Sequence, residues 1–316
     1  MKLITNELCS SPTVCILMAT YNGEKFLSEQ LESIHNQTHK NWCLVISDDG
    51  SSDNTLTIAK QFQDKWGSDR LEIRQGPQQG FCQNFLFMAC DTTLRADLYT
   101  FSDQDDIWMP DKLERAVTYF DKSNQSQLPR AYGARTQIVD DSLKPLGLSP
   151  KFTFPSSFRN ALVQSISGGN TQAFNFVAKQ LLEQAGPQKV ISHDWWLYQL
   201  VTGAGGVFHY DPVPSVLYRQ HPGAIVGSNN SFTSKIERLV YVLSGRFKNW
   251  NDMNYVALNS IRHLLSKESK DTLDILGRFR GAGLRDRIRL FSVSGLYRQN
   301  WQGTLSLWLA IILNKI

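Results

Sequence analysis

The chain has 316 residues, 41% hydrophobic and 20% charged, with 33 Lys and Arg against 29 Asp and Glu for a formal net charge of +4. Its 17 Phe, 8 Trp and 10 Tyr carry more apolar area than a disordered or low-complexity chain, and the length suits one large α/β domain with a tail or two smaller domains. A charge this near balance argues against a nucleic-acid binder unless the basic residues cluster, and they do so only late, where Arg278, Arg280, Arg285, Arg287, Arg289 and Arg298 are opposed only by Asp286.

At the N-terminus Met1-Lys2-Leu3-Ile4 gives way at once to Thr5-Asn6-Glu7, so no secretory signal is expected. The short apolar run 14–19 followed by Tyr21-Asn22-Gly23 reads as a buried parallel strand ending in a turn. Phe26, Leu27, Leu31 and Ile34 recur at helical spacing, and residues 42–46 read as a second buried strand. Asp48-Asp49-Gly50-Ser51-Ser52-Asp53 is a loop ending in an N-cap signature, ahead of a helix carrying Leu56, Ile58, Ala59 and Phe62. Residues 71–73 form a third strand, Gly80 opens a helix through Phe85, Leu86 and Met88, and residues 98–101 form a fourth strand running into Ser102-Asp103-Gln104-Asp105-Asp106. Pro110 starts the next helix, with Leu113, Ala116 and Val117 on one face.

From about residue 130 the alternation becomes irregular. A strand is expected at 137–139, a Pro-rich stretch through Pro155, a small-residue segment at 165–170 before a helix containing Phe174, a helix at 193–197, and two strands at 207–210 and 216–219. A Gly, Asn and Ser cluster past Ser228 marks a boundary, and the remainder is helical in period with no internal repeat. The late apolar run 305–313 is about half of the ~20 residues that a spanning helix needs, so none is expected to cross a bilayer. Cys9, Cys15, Cys43, Cys82 and Cys90 include no C-x-x-C pair, which fits a reducing compartment.

The β-α-β-α order implies a parallel sheet with right-handed crossovers, and in such sheets ligands sit at the carboxyl ends of strands. Asp48-Asp49 and the acids at 103–106 fall at two such ends. Three carboxylates within four residues repel one another unless a cation neutralises them, and hard oxygen ligands suit Mg2+ or Mn2+. An acidic first turn favoured by the following helix dipole is the alternative reading of the same residues.

Four motifs in order, VCILMATYNG at 14–23, Leu31-x-Ser33-Ile34-x-x-Gln37-Thr38, VISDDGSSD at 45–53 and FSDQDDIWMPDKL at 101–113, resemble the nucleotide-sugar half of inverting family 2 glycosyltransferases with the GT-A fold. The resemblance spans roughly 12–225, and the SDQDDIW variant is similar to the branch containing bacterial rhamnosyltransferases of O-antigen and other surface polysaccharides. It implies a Rossmann-like, mostly parallel sheet flanked by helices, in a catalytic domain over 1–228 with a nucleotide-sugar half at about 12–125 and an acceptor half at about 126–228, followed by a helical C-terminal region over 229–316.

The resemblance further implies that Tyr21 borders the nucleobase, that Asp48 and Asp49 bond the base and ribose, and that Asp103 faces the ribose or metal-bound water while Asp105 ligates a metal bridging the diphosphate. Arg74, Gly80 and Asn84 are expected to line the same site, or to be ordinary loop structure. The His193-Asp194-Trp195-Trp196 stretch resembles the family's acidic catalytic motif; Asp194 is expected to act as the base, or to be a helix N-cap, and the role of His193, where many relatives carry an acid, is open. Tyr218-Arg219-x-His221 resembles the element that closes the site, with Arg219 neutralising the diphosphate and His221 a metal ligand, a diphosphate contact or an ordinary polar residue. Gly168, Gly169 and Asn170 would approach the sugar and acceptor, or form a tight turn, and Trp195 or Trp196 could stack on an acceptor sugar.

The implied reaction moves a sugar, L-rhamnose from dTDP-L-rhamnose by the motif variant, to a lipid-linked (polyprenyl diphosphate) oligosaccharide at the cytoplasmic face of the inner membrane. A UDP-hexose donor and a non-catalytic nucleotide-sugar or glycan binding protein are the alternatives, and no nucleic-acid partner is expected. The basic tail beside Trp, Phe and Leu reads as a peripheral membrane contact, as a helical subdomain packed on the core, or as both. Removal of everything past Ser228 is expected to abolish membrane association and leave donor binding intact.

Overall fold

The computed structural model describes residues 11–122, 127–220, 246–279 and 281–315. The first half alternates strand and helix: β1 (Val14–Thr20), α1 (Leu27–His35), β2 (Trp42–Asp48), α2 (Thr55–Trp66), β3 (Leu71–Gln75), α3 (Phe81–Ala89), β4 (Leu98–Ser102), the two-residue β5 (Ile107–Trp108) and α4 (Lys112–Asp121). The second half contains β6 (Arg130–Val139), β7 (Pro145–Leu148), α5 (Phe158–Ala161), a 3-10 turn at Gly169–Thr171, β8 (Ala173–Asn175), α6 (Phe176–Ala185), α7 (His193–Gly203) and β9 (Val207–Arg219). Four further helices follow: α8 (Arg246–Ser260), α9 (Lys267–Phe279), α10 (Leu284–Ser294) and α11 (Trp301–Ile312).

One sheet runs β3-β2-β1-β4-β8-β6-β9-β5, with β7 beside β6. Strands β1 to β4 pair in parallel, so Thr20, Asp48, Gln75 and Ser102 end at one edge. The antiparallel pairings gather in the second half, through β8 and β7 and between β5 and β9, while β6 and β9 are parallel. The continuous apolar runs of β1 and β2 follow from helices covering both faces, because successive side chains point to opposite sides. Cys15, Leu17, Val45, Tyr99 and Phe101 enter the core beneath α3, α6 and α7, and Val14, Ile16, Met18, Leu44 and Ile46 enter the one beneath α1, α2 and α4.

Three expectations are corrected. The strand at 137–139 is the last third of β6, whose earlier residues Arg130, Ala131, Gly133 and Ala134 are buried without the β-branched signal that marks a strand. The two strands at 207–210 and 216–219 are one, β9, which passes through Pro212 and Pro214 with its register against β6 shifting around Ala134 and Arg135. Phe174 lies in β8, and the helix begins at Phe176 because Asn175 caps it by accepting from the Ala178 amide at 3.0 Å.

The C-terminal helices are not a separate layer. Phe247, Leu258, Ile261, Leu265, Leu273, Leu276, Phe279, Phe291, Leu307 and Ile311 belong to the same buried cluster as Phe85, Trp196, Leu197 and Val201. Asn160 of α5 fixes the chain after α10, donating to the Tyr297 carbonyl at 2.9 Å, and the Ser266 amide donates to the Gly203 carbonyl at 2.9 Å. The expected boundary at Ser228 lies outside the described residues, and no helix among the described residues is long and apolar enough to cross a membrane.

Candidate active site

The parallel edge carries the acid loop directly after β4. Asp106 is 1% exposed and clamped from two sides: Asn170 of the 3-10 turn donates to Oδ2 at 2.5 Å, and the Arg219 amide at the end of β9 donates to Oδ1 at 3.1 Å. Burial, followed by the charge of Asp105, pushes its carboxyl up to about 8 against the pull of those donors. The Asp103 carboxyl is held well above its ordinary range by burial and then by Asp106, Asp105 and Asp194. Tyr218 is raised in the same way, by burial and the charges of Asp106, Asp103 and Asp105. The loop is therefore a concentration of negative potential.

Asp194 stands in the first turn of α7, partly exposed, with Oδ1 accepting from the Trp195 amide at 2.7 Å. Gln172 donates to the Asp194 carbonyl at 3.1 Å and to Ser167 Oγ at 3.0 Å, which ties the start of α7 to the segment before β8. The adjacent His193 ring packs edge-on against Phe101 of β4 at 4.6 Å and Phe81 of α3 at 6.1 Å, which brings the start of α7 to the end of β4 and the start of α3. His193 packs inward instead. Its ring stacks on Phe85 at 3.9 Å, neither ring nitrogen has a hydrogen-bond partner among the described residues, and burial lowers its pKa to about 4, so it is neutral at pH 7. Gly169 permits this packing, since a Cβ there would lie 2.2 Å from His193 Nε2.

The residues after β1, β2 and β3 divide into groups left open and groups that shape the loops. Tyr21 is 59% exposed, and Gln104 grips its backbone from both sides, accepting from the amide at 2.9 Å and donating to the carbonyl at 3.0 Å. Asp49 is partly exposed and accepts from the amides of Gln78 at 2.7 Å and Gly80 at 2.8 Å, drawing the loop before α3 to the end of β2. Gly80 has φ of +85°, which favours glycine, and caps α3 from the exposed side.

Asp48 is enclosed, in contrast to Asp49. Its carboxylate accepts from Thr20 Oγ1, Ser51 Oγ and the amides of Gly50 and Ser51, which occupies the roughly four lone-pair sites of the group and leaves it 4% exposed. Those bonds shape the loop after β2. Asn84 is 1% exposed and exchanges hydrogen bonds with Ser47, and Arg74 pairs with Glu72 and Asp91 beside Cys15, Cys43 and Leu94, so neither is brought to the cleft. The Arg219 guanidinium is spent on the carbonyls of Asp105 and Asp141 and on Glu29, and it locks the acid loop to α1 instead of facing a diphosphate. Trp195 is 6% exposed and donates to the Ala161 carbonyl, and Trp196 is fully buried, so neither offers a stacking platform. His221 lies outside the described residues.

Sequence reasoning left Asn170, Asp106 and Arg219 unconnected; only their convergence reveals the clamp. Lys112, in the first turn of α4, is 2% exposed, lies 3.5 Å from the Trp108 ring centroid and donates to Thr100 Oγ1 beneath the loop. A cavity of about 430 Å³ lined by Arg115, Tyr132, His209 and Asp211 shares no residue with the acid loop.

The profile described as "Glycosyl transferase family 2" matches residues 15–183, more than half of the chain. The chain belongs to glycosyl transferase family 2. Among curated relatives, it is 32% identical over 230 residues to the dTDP-rhamnosyl transferase RfbG of Shigella flexneri, covering 70% of this chain and 78% of that protein. It is 30% identical over 151 residues to WfgD of Escherichia coli, named as a UDP-Glc:alpha-D-GlcNAc-diphosphoundecaprenol beta-1,3-glucosyltransferase, covering 46% and 55% of the two chains. The family 2 fold is shared with S. aureus TarS 1-349 in complex with UDP-GlcNAc, at a TM-score of 0.55 and 15% identity over 87% of this chain and 83% of that one. It is also shared with the mannosyltransferase PcManGT of Pyrobaculum calidifontis in complex with GDP-Man and Mn2+, at a TM-score of 0.50 and 15% identity over 97% and 87%. These neighbours are GT-A glycosyltransferases, so this family 2 chain has the α/β fold that its motifs imply.

Proposed function

We propose that this family 2 glycosyltransferase transfers L-rhamnose from dTDP-L-rhamnose, with inversion, to a lipid-linked oligosaccharide in surface-polysaccharide or O-antigen assembly. The observation that carries this reading is the seating of the start of α7 on the end of β4, where His193 packs on Phe101 with centroids 4.6 Å apart and Gln172 joins the Phe101 amide to the Asp194 carbonyl, which puts Asp194 beside the acid loop. An inverting displacement needs a base on the acceptor side and a site for the leaving diphosphate, and Asp194 and the acid loop supply the two sides.

Asp194 takes the proton of the acceptor hydroxyl as the anomeric bond breaks. Gln172 and the first turn of α7 fix its position. On the nucleotide side Tyr21 borders the base, and Asp49 with Gly80 holds the loop against the ribose. Gly168, exposed at the 3-10 turn, allows the acceptor to approach the backbone. A lipid-linked acceptor implies work at the cytoplasmic face of the inner membrane.

The chemistry of the acid loop fits Mg2+ or Mn2+. Asp103 and Asp105 are hard oxygen donors, and burial, followed by the neighbouring carboxylates, drives Asp103 toward its neutral form, although no three His, Cys, Asp or Glu side chains among the described residues are already arranged around an ion. Bound there, the metal would neutralise charge on the departing diphosphate. Support for the rhamnose donor is the 32% identity to the rhamnosyl transferase; the 30% identity to the glucosyltransferase favours UDP-glucose as the second reading.

The test is a panel of nucleotide sugars scored, with Mg2+ or Mn2+, for protection against thermal unfolding and then for transfer to a lipid-linked acceptor. dTDP-L-rhamnose is expected to give the largest shift and to turn over. A larger shift and turnover with UDP-glucose replaces the donor, and binding without turnover of any sugar replaces the enzyme by a binding protein.

A further inference from the structure

We propose that the outer faces of α10 and α11 form a docking surface for an anionic lipid bilayer. Helix α11, with sequence WQGTLSLWLAII, carries no ionisable side chain. It is seated by one face: Leu307, Ala310 and Ile311 are buried, and Trp308 packs edge-on against Phe291 of α10 with centroids 4.4 Å apart. The opposite face is open. Trp301 is 70% exposed, Leu305 61%, Leu309 41% and Ile312 39%, and their spacing of four, four and three residues sets them in one line along the helix. Single exposed apolar residues are ordinary on a protein surface, whereas a stripe of four on an uncharged helix is a contiguous patch that water does not favour.

Helix α10 supplies the other half of the chemistry. It buries Phe291 and Ser294 and turns Leu284, Ile288 and Val293 outward, with Arg285 and Arg289 exposed between them. Asp286 is the one acid of that helix. Apolar side chains to enter the acyl boundary, a Trp for the headgroup level and arginines for lipid phosphates are what an interfacial helix pair requires. A second copy docked face to face would set the same cations against one another, which disfavours a dimer through this surface. Twelve residues make a helix of about 18 Å, against about 30 Å of hydrocarbon, so α11 lies in the interface plane and does not span it. The lipid-linked acceptor gives this surface a purpose, but its evidence is independent of the donor and of the acid loop.

The full chain is sedimented with vesicles of phosphatidylcholine alone and of phosphatidylcholine mixed with phosphatidylglycerol. Binding is expected to the anionic vesicles and to weaken as salt rises. Leu305→Glu combined with Leu309→Glu, both at outward positions, is expected to lower the partition about tenfold or more, and Arg285→Glu with Arg289→Glu by about the same factor. Unfolding midpoints and protection by the nucleotide sugar should match the parent in both variants, which separates loss of the surface from loss of the fold and from failure of the donor reading. The proposal is overturned if the parent ignores anionic vesicles, if either double variant binds like the parent, or if light scattering shows a dimer that the leucine variants dissolve.

Discussion

Asp194 and the acids of the β4–β5 loop are where single atoms matter most. Asp194→Asn keeps the shape of the side chain and removes the proposed base, so transfer is expected to fall on the order of 10²- to 10⁴-fold while the nucleotide sugar still protects the protein against unfolding. Equal transfer rates for variant and parent would remove Asp194 from the mechanism. The same loop sets a pH dependence. Asp106, raised to about 8, keeps its proton when folded and loses it when unfolded, so its contribution to stability is fully present below the ordinary carboxylate range and is lost as pH rises toward about 8. His193, lowered to about 4, acts oppositely, costing stability as pH falls below 6.5. Between pH 6.5 and 8 Asp103 and Asp106 act in one direction and Cys43, lowered to about 7 by its hydrogen bond to Cys15, acts in the other, so the carboxyl effect is read in metal-free Cys43→Ser protein, which should lose on the order of 1–2 kcal/mol across that window by thermal unfolding. Added Mn2+ should flatten the slope, because a cation stabilises the ionised loop; a flat metal-free profile would contradict the crowding of the acids. The acids themselves were legible because they are consecutive in sequence. The spent state of Asp48 and Arg219 was not, since a carboxylate or guanidinium looks the same in sequence whether its partners are ligand or protein.

At the scale of elements, β1 to β4 and α1 to α4 were readable because apolar runs and helical spacing coincide there with turn residues. The second half resisted because its strands are held by partners far away in sequence. Asn175 shows how. One side chain caps α6, accepts from the Arg130 amide at 2.9 Å and donates to the Leu128 carbonyl at 2.9 Å, joining β8, α6 and the start of β6. Asn175→Ala is expected to cost about 2–3 kcal/mol, above the ~1 kcal/mol of an ordinary cap, because it also leaves the buried Arg130 amide and the partly buried Leu128 carbonyl without this partner. Denaturant unfolding measures this, and a loss no greater than a simple cap would show that water replaces the other two bonds.

For the molecule as a whole, the shared core of α5, α7 and the C-terminal helices changes what truncation means. Ending the chain after Ser228 removes Leu258, Leu273, Phe279 and their neighbours from the cluster and takes the Tyr297 carbonyl from Asn160 and the Ser266 amide from the Gly203 carbonyl. Each large buried side chain contributes about 1.5–3 kcal/mol, so the combined loss exceeds the roughly 5–15 kcal/mol by which domains are stable. The shortened protein is expected to be insoluble or unfolded, read by circular dichroism and by loss of nucleotide-sugar protection. A folded fragment that still binds the donor would restore the tail as a separable domain.

The sequence alone determined the parallel half of the sheet, the edge at which the acid loop lies and the family, since each rests on contiguous motifs and local periodicity. Tertiary structure alone decided which charged groups remain open to a ligand, that both tryptophans after Asp194 are core, and that the basic tail shares the catalytic core while keeping an apolar face outside. Those outcomes depend on burial and on hydrogen-bond partners up to 190 positions apart, as between Glu29 and Arg219, and no local pattern encodes them.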